Sequence, residues 1–338
     1  MKGRSSRFSR GLLALCALSA CACTPPLPPA PPPPVAPVLE EPALAIPGDL
    51  DLVMRVDLSR LRDLFGLGFE AALDEMLART PGADADGDTG RMLLRLLSRA
   101  DTVWLGARPG LSPELTDNVL VARGKFAGLV PEAIGGDPPW DRPERLGGGV
   151  LRYERAAPKL RATPAVIYLR EPDRVVLGST AEIDALELTL ERGEGQPPLR
   201  APEAGVVALS ARVPQLSQGL RARAPTLTRL LDGADRLSCS VDRRGDDLEL
   251  VLELSYENPS RAADVAGPIE QVLARLAESG FRFLERVRVQ PAGPSVTLTL
   301  SLPMERVKAL AACAAGYGCG PPPNSETPPS DVLPSAPP

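Results

Sequence analysis

The feature that most constrains this chain is that part of it occurs twice. Leu94-Arg95-Leu96-Leu97-Ser98-Arg99-Ala100-Asp101-Thr102-Val103 aligns with Thr228-Arg229-Leu230-Leu231-Asp232-Gly233-Ala234-Asp235-Arg236-Leu237. Upstream, Leu52, Met54, Val56, Leu58 and Leu61 match Val207, Leu209, Ala211, Val213 and Leu216 in spacing and character. Downstream, each copy has a further strand, at 118–126 and 247–256. Each then closes with a hairpin and a helix, at 165–178 and 181–192 in the first copy and 282–302 and 304–315 in the second. A repeated supersecondary unit has to bury the same apolar positions in both copies, so it restricts the fold more than any single motif.

Periodicity assigns the elements. Leu248, Leu250, Leu252 and Leu254 alternate with Glu249, Val251, Glu253 and Ser255, the pattern of a strand with one buried face. Leu216, Leu220, Ala224, Leu227 and Leu231 recur at helical spacing, with Pro225 restarting the helix. Val265, Ile269, Val272, Leu273 and Leu276 form a second helical stripe. The order in each copy is close to a split β-α-β-β-α-β motif with an added strand and helix. The expected fold class is therefore α+β, with two related units, 48–200 and 201–319. Each is a largely antiparallel sheet with helices on one face. In the first unit a Gly/Pro-rich stretch, 129–149, replaces most of the second long helix.

The flanks differ in composition. Residues 24–47 contain eleven prolines, which favours extended polyproline II and a reach of roughly 70 Å. Residues 21–47 are read as a semi-rigid tether; a ligand for proline-binding modules is the other reading. Residues 320–338, again proline-rich and without apolar periodicity, are expected to be disordered.

Met1 to Arg10 is basic, and Gly11 to Leu18 is an apolar run too short to span a bilayer. It ends in Leu18-Ser19-Ala20-Cys21, which resembles the lipobox of bacterial lipoproteins at all four positions. The resemblance implies a signal peptide at 1–20, cleavage before Cys21 and acyl chains attached through its sulfur. The membrane is then the first partner. Ala22, in place of the aspartate that retains lipoproteins in the inner membrane, implies the outer membrane. Cys23 is a rival acceptor, and an ordinary secretory signal with Ala-x-Ala cleavage is the alternative. The opening Pro47-Gly48-Asp49-Leu50-Asp51-Leu52-Val53-Met54-Arg55-Val56-Asp57-Leu58 is similar to the first strand of uncharacterised secreted bacterial repeat proteins, and implies no activity.

The chain has no histidine. That removes the commonest general base, metal ligand and pH switch together. The formal charge is −5. Loss of Lys2, Arg4, Arg7 and Arg10 with the signal gives −5 − 4 = −9. So acidic a surface argues against nucleic acid or anionic lipid as the main partner.

Individual motifs add little catalytic promise. Asp84, Asp86 and Asp88 alternate like the start of a calcium loop, but Thr89 and Arg95 occupy the positions of the required Gly and bidentate Glu. A polar interhelical loop is the plainer reading. Gly124-Lys125 lacks the upstream glycine of a phosphate loop, and no nucleophile motif is present. No enzyme activity and no cofactor are expected. Cys239 replaces Leu105 in the repeat and is expected to be a buried apolar substitute. Cys313 and Cys319 flank glycines at the end of the last helix, close enough for α-carbons about 6 Å apart, and are expected to form a disulfide. Trp104 takes the place of Ser238, on the opposite face from Val103 and Leu105. Either 129–149, with Trp140, covers it or it is a contact site. The functional expectation is a non-enzymatic binding or scaffolding module partnered with an envelope protein. A carrier or chaperone for an apolar ligand is the alternative, and a carboxylate-based hydrolase the third reading.

Overall fold

The computed structural model describes residues 41–66, 87–110, 116–129, 139–158, 161–194, 199–216 and 231–308. The chain enters through a 3-10 turn, Pro42–Ala45, and then β1 (Leu52–Asp57). Asp57 stops the strand and caps α1 (Leu58–Phe65), its carboxylate accepting from the Arg60 amide at 3.0 Å. α2 (Gly87–Arg99), β2 (Ala100–Arg108) and β3 (Asp117–Gly124) follow, then β4 (Glu144–Arg145), β5 (Val150–Glu154), β6 (Pro164–Arg170), β7 (Arg174–Ser179) and α3 (Ile183–Leu190). The second unit holds β8 (Val207–Arg212), β9 (Arg236–Arg244), β10 (Asp247–Ser255), α4 (Pro259–Glu278), β11 (Arg288–Ala292) and β12 (Ser295–Pro303).

All twelve strands join one antiparallel sheet in the order β11-β12-β10-β9-β8-β1-β2-β3-β7-β6-β5-β4. Outward from the β1–β8 junction the two halves read alike: β1-β2-β3-β7-β6 on one side, β8-β9-β10-β12-β11 on the other. The register at the junction is that of a twofold axis. Met54 lies opposite Leu209, its own repeat equivalent, while Leu52 meets Ala211 and Val56 meets Val207. Each equivalent pair therefore exchanges partners, as in an isologous interface. The next strands keep the alignment, since Leu105 faces Met54 as Cys239 faces Leu209. Ala100, 0% exposed, opens β2, and its equivalent Ala234, 3% exposed, lies two residues before β9. Phe126 and Tyr256, just beyond β3 and β10, are held in the same way, their amides donating to the carbonyls of the hairpin prolines Pro172 and Pro294.

Gly124 belongs to this backbone logic. A Cβ there would lie 2.2 Å from the Arg99 carbonyl oxygen, at the irregular start of the β2–β3 pair. Close chain approach, not phosphate binding, explains the Gly124-Lys125 pair.

The α+β class with antiparallel pairing is what the structure shows, with the core in three clusters. Leu58, Met92, Leu96, Val103, Ile167 and Leu177 pack α1 and α2 on one sheet face. On that same face of the second unit, Leu254, Val265, Ile269 and Val296 pack α4, joined by Leu273; Leu276, 40% exposed, leaves the expected stripe. The opposite face differs between the units. In the second it carries Ser238, Ser240, Glu249, Glu253, Thr297 and Thr299, so helices on one face suffice there. In the first it carries Val53, Val121, Val166, Tyr168 and Val176, and α3 and the 3-10 turn cover it through Leu186, Leu190, Ala45 and Ile46. Helices thus flank the first unit on both sides, because β6 and β7 are apolar on both.

One boundary moves. Residues 41–47, assigned to the tether, belong to the folded body: Ala45 and Ile46 are 0% and 1% exposed. The apolar run Ala43-Leu44-Ala45-Ile46 has an apolar sheet face to bury against, which outweighs the flanking prolines. Among the described residues no helix is long and apolar enough to cross a membrane.

Candidate functional site

Cys21, Asp84, Asp86, Cys313 and Cys319 lie outside the described residues. Asp88 is the second residue of α2, which runs unbroken from Gly87 through Arg95. A continuous helix there leaves no loop to wrap an ion, so the calcium reading loses its backbone. Among the described residues no cluster of three or more acidic or cysteine side chains could hold a metal. Cys239 is half-buried with a free thiol whose pKa burial raises, in keeping with an apolar substitute.

Carboxylates do converge, but on arginines. The Arg108 guanidinium donates to Asp49 at 2.5 Å and to Glu182 at 2.9 Å. Arg161 grips both oxygens of Asp117, each at 2.5 Å. Glu182 is 1% exposed, and burial raises its carboxyl pKa against the pull of Arg108. A second knot centres on Arg152, which pairs with Glu154 at 2.9 Å and with Glu187, while Tyr168 donates to Glu191 at 3.0 Å. Both knots tie strands to α3 or to loops. Saturated with guanidinium donors, these carboxylates are arranged as clasps and not as an acid–base pair.

Trp104 marks a different kind of place. It lies on β2 between Arg55 of β1 and Val121 of β3, and packs against the cluster under α3. It is half-buried, and Trp140 is not what covers it. Trp140 sits with the cluster on the opposite face, where the Arg155 guanidinium lies 4.5 Å from its ring centroid. The cover over Trp104 comes from the 3-10 turn and from Leu199 and Ala201, segments far apart in sequence that the sheet brings together.

The cover is incomplete. A cleft of about 290 Å³ remains, walled by Trp104, Val53, Pro42, Leu199 and Ala201, with Arg55 at its polar side. The Arg55 Nη2 donates to the carbonyls of Glu203 at 2.5 Å and Gly205 at 2.6 Å, which fixes the 199–206 segment to the sheet. Its Nε is buried without a hydrogen-bond partner. Sequence reasoning missed Arg55, although the repeat held the signal. Its equivalent is Ser210, just as Ser238 is the equivalent of Trp104. Arg55 and Trp104 lie opposite each other on β1 and β2, and Ser210 and Ser238 do so on β8 and β9.

Fold and cleft together define an α+β protein built from a repeated antiparallel unit, with an apolar cleft on the more heavily covered half. Comparison with protein-family models and with curated proteins finds no match. Among solved structures, crystal form I of TP0453 is similar, with a TM-score of 0.46 and 14% identity over 82% of this chain and 97% of that one. Crystal form III gives a TM-score of 0.46 and 13% identity over 82% and 98%. These likenesses carry no argument about function.

Proposed function

We propose that the chain is a non-enzymatic binding module held to the outer membrane through Cys21, and that the Trp104 cleft is its binding site. The observation that carries this reading is a half-buried tryptophan walling an apolar cleft near the lower end of small-molecule pocket sizes. The scaffolding variant called for Trp104 on a flat exposed face, and it lines a recess instead. An envelope protein as partner would engage the module alongside this site.

The carrier reading has its own support. Met54, Leu105, Leu209, Cys239 and Leu250 share the helix-bearing face around the pseudo-twofold axis and are only half-buried.

The cleft is testable by fluorescence. The sequence has two tryptophans, so Trp140→Phe leaves Trp104 as the lone indole. Titration with octanamide should shift Trp104 emission saturably. Emission that stays fixed with octanamide and with octanoate, each up to its solubility limit, removes the cleft as a binding site.

A further inference from the structure

Resting on that reading of the cleft, we infer that its ligand is a small amphipathic anion, the apolar part against Trp104 and the anionic group on Arg55. Arg55 is half-buried, and no carboxylate of the described residues pairs with it. Its Nη2 is committed to two carbonyls, while its Nε is shut away from water with no acceptor. A guanidinium charge held half-buried beside an apolar wall without a carboxylate is costly, and an anion in the cleft is the group that offsets it.

The acids near the cleft do not fill that role. Glu41 and Arg200, both more than half exposed, approach each other at 4.0 Å. Glu203 gives Arg55 its backbone carbonyl and keeps its side chain in solvent. The sister unit is built differently. There the cross-strand pair Arg55–Trp104 becomes Ser210–Ser238, which lacks the indole, and the guanidinium beside Ser210 is that of Arg236, whose Nη2 donates to the Ser210 hydroxyl at 3.3 Å. The volume of about 290 Å³ equals about ten water volumes. An eight-carbon chain with one carboxylate is therefore a suitable probe.

The test uses the mature chain, residues 21–338, carrying Cys21→Ser so that no acyl chain competes, and Trp140→Phe. Trp104 emission is titrated with octanoate and with octanamide, its neutral counterpart. Octanoate should bind at least about tenfold tighter. Arg55→Gln should bring the two probes together, and Arg55→Lys should keep the preference. Circular dichroism checks that each variant is folded. Equal affinities in the protein with Arg55, or a preference that survives Arg55→Gln, overturn the anion inference and leave the cleft standing. No response to either probe overturns both.

Discussion

Glu182 is a buried carboxylate whose ionisation costs stability. Desolvation raises its pKa above the ordinary 4.5, with Arg108 opposing the shift. A carboxyl raised in the folded state is protonated there at a pH where the unfolded chain has already released its proton. Stability therefore falls as pH rises from 4.5 through the folded value, and the cost is complete above it. Glu182→Gln removes that linkage while Arg108 keeps Asp49. Between pH 4.5 and 7 the melting temperature of the variant should decline less than that of the parent; parallel curves would contradict the assignment. At this scale the sequence was partly legible. The repeat put Cys239 in the place of Leu105 and singled out Trp104. It could not show what covers Trp104, because the covering residues, 42–45 and 199–201, are joined only by the fold.

Among the elements, the 3-10 turn at Pro42–Ala45 is the one composition concealed. Proline content masked a short apolar run that has no period to read, and only the sheet face beneath it reveals its purpose. Ile46→Ala should cost roughly 2–5 kcal/mol, the usual loss for a large aliphatic side chain cut back in a core. Removing residues 21–40 should leave the melting temperature within about a degree or two, as expected of a proline-rich tether. Thermal unfolding of both proteins checks the boundary, and an Ile46→Ala melt equal to the parent would return the turn to the tether. β5 was missed for a related reason: five residues after a glycine run carry too little alternation to announce a strand. The long strands and α4 were legible because their periods persist. The sheet's outer strands are short or interrupted. β4 has two residues, Glu and Arg, and β11 contains Pro291, which has no amide to offer a neighbour.

For the whole molecule, the β1–β8 junction decides how the halves depend on each other. β8 paired about Leu209 with a second β8 would copy the present register almost residue for residue. Residues 201–319 expressed alone should therefore form a folded homodimer, with Leu209 opposite its own copy. Sedimentation equilibrium measures the mass, and a folded monomer would show that the junction is not self-complementary. The pairing order itself was not legible in the sequence, since several strands share the same alternation and any of them could be neighbours.

The exchange of partners around Met54 and Leu209 gives the chain the layout of a symmetric dimer whose two polypeptides have become one. In such a dimer every substitution appears twice, so a recess on one protomer implies a second on the other. Once joined, the copies can drift independently. The serine pair on β8 and β9 could stay plain while an arginine and a tryptophan came to stand on β1 and β2. A joined pair can therefore carry the arginine, the indole and their recess on one half alone, which two identical protomers cannot.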